Sequence, residues 1–174
     1  MNQLVNFSEL GLITETITDS NVSSYSAVAA KDDLSASLED RARSYIDVNC
    51  SSCGLLFDAL KPFVLSEASV YSFWTIVPNQ DLFINLKDAN GTIIKSKKII
   101  LNNHTGSSHN RVNLDMLIPA GLNWQLTLSS QSSYDLIAAT SNLSYPYHLG
   151  DYAIIKQSLS GGSRYDFLFD WKIS

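Results

Sequence analysis

The sequence is poor in the residues that most chemistry requires. Of 174 residues, two are cysteine, three histidine and two methionine. Charged residues make up 17%, with 12 Lys and Arg against 17 Asp and Glu, a net charge of −5. A protein that neutralises nucleic-acid phosphates carries the opposite balance, so no nucleic-acid partner is expected. No apolar run approaches the roughly 18 residues needed for a membrane-crossing helix, so no membrane span is expected. G-x-S-x-G, H-E-x-x-H and a phosphate-cradling glycine loop are all missing. Without a visible catalytic constellation, the chain is not expected to be an enzyme. His104 and His109 share one polar stretch with no further ligands nearby, so the reading is a solvated loop, with no metal and no cofactor.

What is there is enough for a core. Apolar residues are 45% of the chain and aromatics 10%, which fits one domain of ordinary size or a domain with an appendage. The two parts differ in composition. All four prolines and all three tryptophans lie after residue 61, and residues 1–60 hold three Lys and Arg against nine Asp and Glu. This shift predicts an N-terminal extension over 1–53 and a second unit over 54–174. Ala27-Val28-Ala29-Ala30 has the small residues of a cleavage site. The polar stretch before it lacks the apolar region of a signal peptide, so none is read there.

In the first part, Ser37-Leu38-Glu39-Asp40 resembles a capping box, and Leu38, Ala42, Tyr45 and Ile46 follow at roughly helical spacing. The spacing predicts a helix over 38–49. It runs into Cys50-Ser51-Ser52-Cys53, the only cysteines. A c-type haem site needs C-x-x-C-H, but the next residue is Gly54. A thioredoxin-like pair sits at a helix N-terminus, where the dipole lowers a thiol pKa, not at the C-terminus expected here. A zinc site needs more ligands. A local disulfide or two ordinary thiols is the plainer reading of Cys50 and Cys53.

The second part reads as strands. Leu82, Ile84 and Leu86 alternate with polar neighbours and lead into Asp88-Ala89-Asn90-Gly91, a hairpin signal. Calcium ligation by Asp88 and Asn90 is conceivable, but a turn explains them more simply. Residues 102–110 form a polar loop. Val112, Leu114 and Met116 alternate up to Pro119-Ala120-Gly121, and Trp124, Leu126 and Leu128 alternate beyond it. Tyr152–Ile155 and Tyr165–Ile173 complete the pattern around Ser160-Gly161-Gly162-Ser163. Seven or eight short strands predict a mainly β fold. The expected form is an antiparallel β-sandwich, jelly-roll or Ig-like, with a short partly helical N-terminal extension.

The aromatics are the best binding candidates, because a ring face can stack on the C–H face of a pyranose. Tyr71, Trp74, Tyr134, Tyr145 and Tyr147 qualify. Tyr145-Pro146-Tyr147 sits in an expected loop and is the foremost surface candidate, whereas Trp124 and Trp171 alternate in phase with apolar neighbours and are assigned to the core. Asn-x-Ser/Thr occurs six times, at Asn6, Asn21, Asn49, Asn90, Asn103 and Asn142, which fits a polar extracellular surface.

Two resemblances extend these readings. Glu39-Asp40-Arg41-Ala42-Arg43-Ser44-Tyr45 through Cys53 resembles the lead-in to a haem site in a family of secreted bacterial c-type cytochrome-like proteins, over about 50 residues. The family's haem-ligand histidine is missing. Residues 54–174 resemble a C-terminal β-sandwich module of secreted multidomain proteins of Gram-negative bacteria. The match rests on Gly54 to Leu65, Leu86 to Ile94, Leu114 to Gly121 with Trp124 to Leu128, Ser144-Tyr145-Pro146-Tyr147 and Tyr165 to Ile173. Where that family often has a Leu-Tyr-Arg-Asn-like segment, this chain has Leu136-Ile137-Ala138-Ala139-Thr140. The second resemblance implies a non-catalytic extracellular or cell-surface module of a larger chain. Its implied role is adhesion or carbohydrate binding, with a glycan or cell-surface protein as partner. Two other readings stay open: a cytochrome-like or thiol redox protein working through Cys50 and Cys53, and a structural spacer or sorting domain.

Overall fold

A computed structural model of the chain describes residues 34–36, 45–49, 53–72, 82–101, 108–130 and 135–174. Twelve strands lie in these segments: β1 Leu34–Ala36, β2 Tyr45–Asn49, β3 Gly54–Ala59, β4 Phe63–Ser72, β5 Leu82–Lys87, β6 Ile93–Ile99, β7 Ser108–Ile118, β8 Gly121–Ser130, β9 Asp135–Ala139, β10 Tyr147–Leu149, β11 Ala153–Ser158 and β12 Phe169–Ile173. They form two six-stranded antiparallel sheets. The first has the order β1-β12-β4-β9-β2, with β7 also on β4; the second has the order β10-β11-β3-β8-β5-β6. Ser69 of β4 pairs with Arg111 of β7 on one edge and Phe169 of β12 on the other, so β4 is the spine of the first sheet.

The strands form where side chains alternate. In β7, Val112, Leu114, Met116 and Ile118 are buried while Arg111, Asn113, Asp115 and Leu117 are exposed, the period-2 pattern of a sheet with one covered face. Leu55 and Phe57 in β3, Ile84 and Leu86 in β5, and Leu126 and Leu128 in β8 supply the second sheet's share of the same buried cluster. Phe57 of the second sheet meets Trp171 of the first edge-to-face, with ring centroids 5.2 Å apart. Gly54 lies so close to β8 that a Cβ there would stand 2.1 Å from the Leu126 carbonyl oxygen. At the β5–β6 hairpin, the Asp88 carboxylate accepts the Asn90 and Thr92 amides, and Gly91 takes φ +82° to close the turn. That carboxylate is committed to the backbone, which is the turn reading of Asp88 and Asn90.

Several expectations are corrected. The helix expected over 38–49 is contradicted at its C-terminal end: residues 45–49 are strand β2, paired in register with β9 from Tyr45↔Ala139 to Asn49↔Asp135. Tyr45, Ile46 and Val48 favour a pleated strand, and a paired neighbour outweighs a weak helical spacing. Residues 38–44 lie outside the described residues. Strands β1 and β2 precede residue 54 yet pair with β12 and β9, which follow it. The polar loop expected over 102–110 ends earlier, because Ser108–Asn110 already belong to β7 and pair along β4. The last strand begins at Phe169 rather than Tyr165. The stretch between is held by other bonds: Tyr165 Oη and Trp171 Nε1 both donate to the Leu168 carbonyl. Trp171 is fully buried, while Trp124 is only partly buried against the core.

Candidate functional site

Three of the five aromatic candidates come together. Tyr71 lies near the end of β4, Tyr145 in the segment before β10, and Tyr147 opens β10 as a strand residue rather than a loop one. Residues distant in sequence join them into one row of rings. Tyr71 stacks on the His109 imidazole at 4.7 Å and 12°, and meets Phe169 edge-on at 5.5 Å. Phe169 stacks on Tyr165 at 5.3 Å. Tyr165 stacks on Tyr145 at 6.0 Å and meets Tyr147 edge-on at 5.5 Å, while Tyr145 and Tyr147 meet each other at 5.0 Å. Phe169 and Tyr165 in the middle are fully buried; Tyr71, Tyr145 and Tyr147 are half-buried and His109 is exposed. The row therefore has an interior anchor and partly exposed rings at both ends. Trp74 and Tyr134 lie outside the described residues.

Hydrogen bonds fix the Tyr145 end. Tyr145 Oη donates to the Arg164 carbonyl at 2.9 Å, and Tyr147 Oη accepts the Ser144 amide at 2.9 Å. Burial, reinforced by Tyr165, Asp166 and Tyr147, pushes the Tyr145 phenol far above its ordinary value, so it stays a neutral donor. Asn142, Ser144 and His148 are exposed on the same segment.

The Tyr71 end is bordered by charge. Arg111 Nε donates to Glu67 at 2.8 Å, and its Nη1 donates to Ser69 Oγ at 3.0 Å, the Asp170 carbonyl at 2.9 Å and the Asp170 carboxylate. Burial alone would lower the guanidinium pKa, but Glu67 and Asp170 outweigh it and hold it above the ordinary value. This one side chain ties β7 to β4 and β12. His109 Nε2 also lies 3.0 Å from Ser69 Oγ. A serine beside a histidine suggests a nucleophile and its base, but Ser69 is only 1% exposed and its oxygen already accepts from Arg111. Among the described residues, no group of three or more His, Cys, Asp or Glu is placed to hold a metal ion, and no helix is long and apolar enough to cross a membrane.

The cysteine motif sits at a polar corner. Cys53 is disulfide-bonded and buried, and the sequence offers Cys50 alone as its partner. A thioether to haem would consume the same sulfur. Arg164 Nη2 stands 3.6 Å from Cys53 Sγ and 3.3 Å from Asp166 Oδ1. Asp166 is fully buried, and its Oδ2 accepts from the Gly54 amide at 3.1 Å, Ser158 Oγ at 2.7 Å and Ser160 Oγ at 2.6 Å.

His109 was weighed from the sequence only as a metal ligand in a polar loop, and Tyr165, Phe169, Arg111, Arg164 and Asp166 carry the geometry without having been singled out there. A signal existed for the last pair only: an acidic residue amid Tyr165, Phe167 and Leu168 must be paired if it is buried. Leu136, Ile137, Ala138 and Ala139 of strand β9 are all buried. Comparison with known proteins returns no matching family model, no matching curated protein and no matching solved structure.

Proposed function

We propose that the chain is a non-catalytic β-sandwich module of jelly-roll or Ig-like type that recognises carbohydrate at an extracellular or cell-surface location, as part of a larger secreted protein. Two antiparallel sheets sharing one buried cluster support the architecture. One observation carries the binding reading: Tyr145 and Tyr147 are half-buried, yet fixed by hydroxyl bonds and by the buried Tyr165, on which Tyr145 stacks and which Tyr147 meets edge-on. A ring that is already immobile loses little entropy when a sugar stacks on it, and Asn142, Ser144 and His148 offer partners for hydroxyls nearby. Tyr71 is a weaker platform because His109 occupies one of its faces.

The test is a glycan array with polysaccharide pull-down on the full chain, with Tyr147→Ala and Tyr71→Ala as variants and thermal melting as the folding control. Saturable binding that disappears in Tyr147→Ala, at an unchanged melting temperature, is the expected result. Silence against all glycans, or binding indifferent to Tyr147, sinks the reading and favours a spacer or a protein-binding module.

A further inference from the structure

We propose that β6 is a docking edge for an acidic, extended peptide, which joins the second sheet as a further strand. Four observations carry it. First, β6 is the terminal strand of that sheet: it pairs with β5 on one side and with no described strand on the other. Such an edge offers main-chain donors and acceptors to an incoming strand. Second, the hairpin is basic in an acidic chain. Residues 82–99 hold Lys87, Lys95, Lys97 and Lys98 against Asp88 alone, whereas the whole chain carries a net charge of −5.

Third, the charges at the centre of the strand are not answered within the fold. The Asp88 carboxylate is committed to the turn. Lys95 Nζ reaches the Asp115 carbonyl at 3.4 Å rather than a carboxylate. Among the described residues, neither Lys95 nor Lys97 forms an ion pair. Fourth, the basic stretch lies between exposed aliphatic residues. Ile93 and Ile94 at one end are 54% and 53% exposed, and Ile100, just past the other end, is 82% exposed.

This arrangement describes the partner. Lys95 and Lys97 stand across from Leu86 and Ile84, two residues apart, so they share one face of the strand. A strand laid beside β6 meets both with carboxylates two residues apart, and covers the isoleucines with an aliphatic residue at each end. Opposite charges facing across a ladder stabilise it, and like charges destabilise it. The β6 of a second copy brings the same lysines and is turned away, so the occupant is a different, acidic chain. It does not compete for the aromatic rings. Tyr147 lies on β10, the terminal strand at the other edge of the same sheet, roughly 24 Å away at the usual strand spacing.

The experiment titrates the full chain into a fluorescein-labelled peptide, Ile-Thr-Glu-Thr-Glu-Thr-Ile, and into its counterpart with lysine at both glutamate positions, and reads anisotropy. Saturable binding of the acidic peptide at about 100 μM or below is expected, weakening as salt is added. The lysine peptide should bind at least about fivefold more weakly. A chain carrying Lys95→Glu and Lys97→Glu, checked by thermal melting, should reverse that preference, which loss of folding cannot do. Hydrogen exchange with the acidic peptide bound should gain protection within residues 93–99. Absence of saturable binding, equal affinity for the two peptides, a preference that the charge reversal leaves in place, or protection gained elsewhere overturns the proposal. Binding to phosphatidylserine vesicles with no binding of the peptide overturns it too, in favour of a membrane surface.

Discussion

At the scale of single residues, Asp166 is the most consequential polar group. Its carboxylate has no exposure and gathers four donors from the Gly54 amide, Ser158, Ser160 and Arg164. Removing one partner of a buried, hydrogen-bonded charge leaves the others unsatisfied, at about 3–5 kcal/mol. Asp166→Ala should therefore lower the unfolding free energy by an amount of that order in urea denaturation. Tyr145 gives a prediction in alkali. Its folded pKa is raised above the ordinary value of 10.0 because burial disfavours the phenolate. The folded state thus binds that proton more tightly than the unfolded state. The associated stability is complete below pH 10.0 and declines as pH rises beyond it. Tyr145→Phe should flatten the alkaline limb of a melting-temperature profile; an unchanged slope would falsify the assignment. Tyr145 was nominated from the sequence for its ring, whereas Asp166 was not singled out there. Asp166 lies between Tyr165 and Phe167 with no spacing that marks its donors, which arrive from β3, from β11 and from the turn after it.

At the scale of elements, period-2 alternation of apolar and polar side chains made β5, β7 and β8 readable, and in β7 it coincides with one buried and one exposed face. Asn90-Gly91 marked the β5–β6 hairpin for the same local reason. Strands β2 and β9 were harder to read. Strand β2 was mistaken for helix because Leu38, Ala42, Tyr45 and Ile46 happen to fall at helical spacing, while the β9 partner that decides the matter lies ninety residues on. Strand β9 gives no alternation because Leu136 to Ala139 are all buried. Strand β6 carries a further lesson. Lys95 and Lys97 stand across from Leu86 and Ile84, so on an edge strand they occupy the phase of buried apolar residues. Charges in that phase discourage a second sheet from pairing along the edge. Replacing both by valine should increase self-association over the wild type in sedimentation velocity; a double variant that associates no more than the wild type would count against this role for the lysines.

At the scale of the whole molecule, the two sheets meet through large rings, with Trp171 against Phe57 at the centre. Trp171→Ala removes a fully buried indole and its hydrogen bond to the Leu168 carbonyl, an expected loss of about 3–5 kcal/mol in chemical denaturation. The row from His109 to Tyr147 shows why sites are harder to read than folds. Tyr71, Tyr145 and Tyr147 were each nominated for being aromatic. What unites them is Tyr165 and Phe169, whose place is set by pairing between remote strands. The closing strand has one more consequence, and it concerns time. Residue 36 pairs with residue 171, and β12 fills the gap between β1 and β4. A ribosome emits the chain in order, so β1 must wait for almost all that follows before it finds its neighbour. Such non-local pairing makes for slow folding, and it leaves the β4 edge bare on every nascent intermediate that lacks residues 169–173.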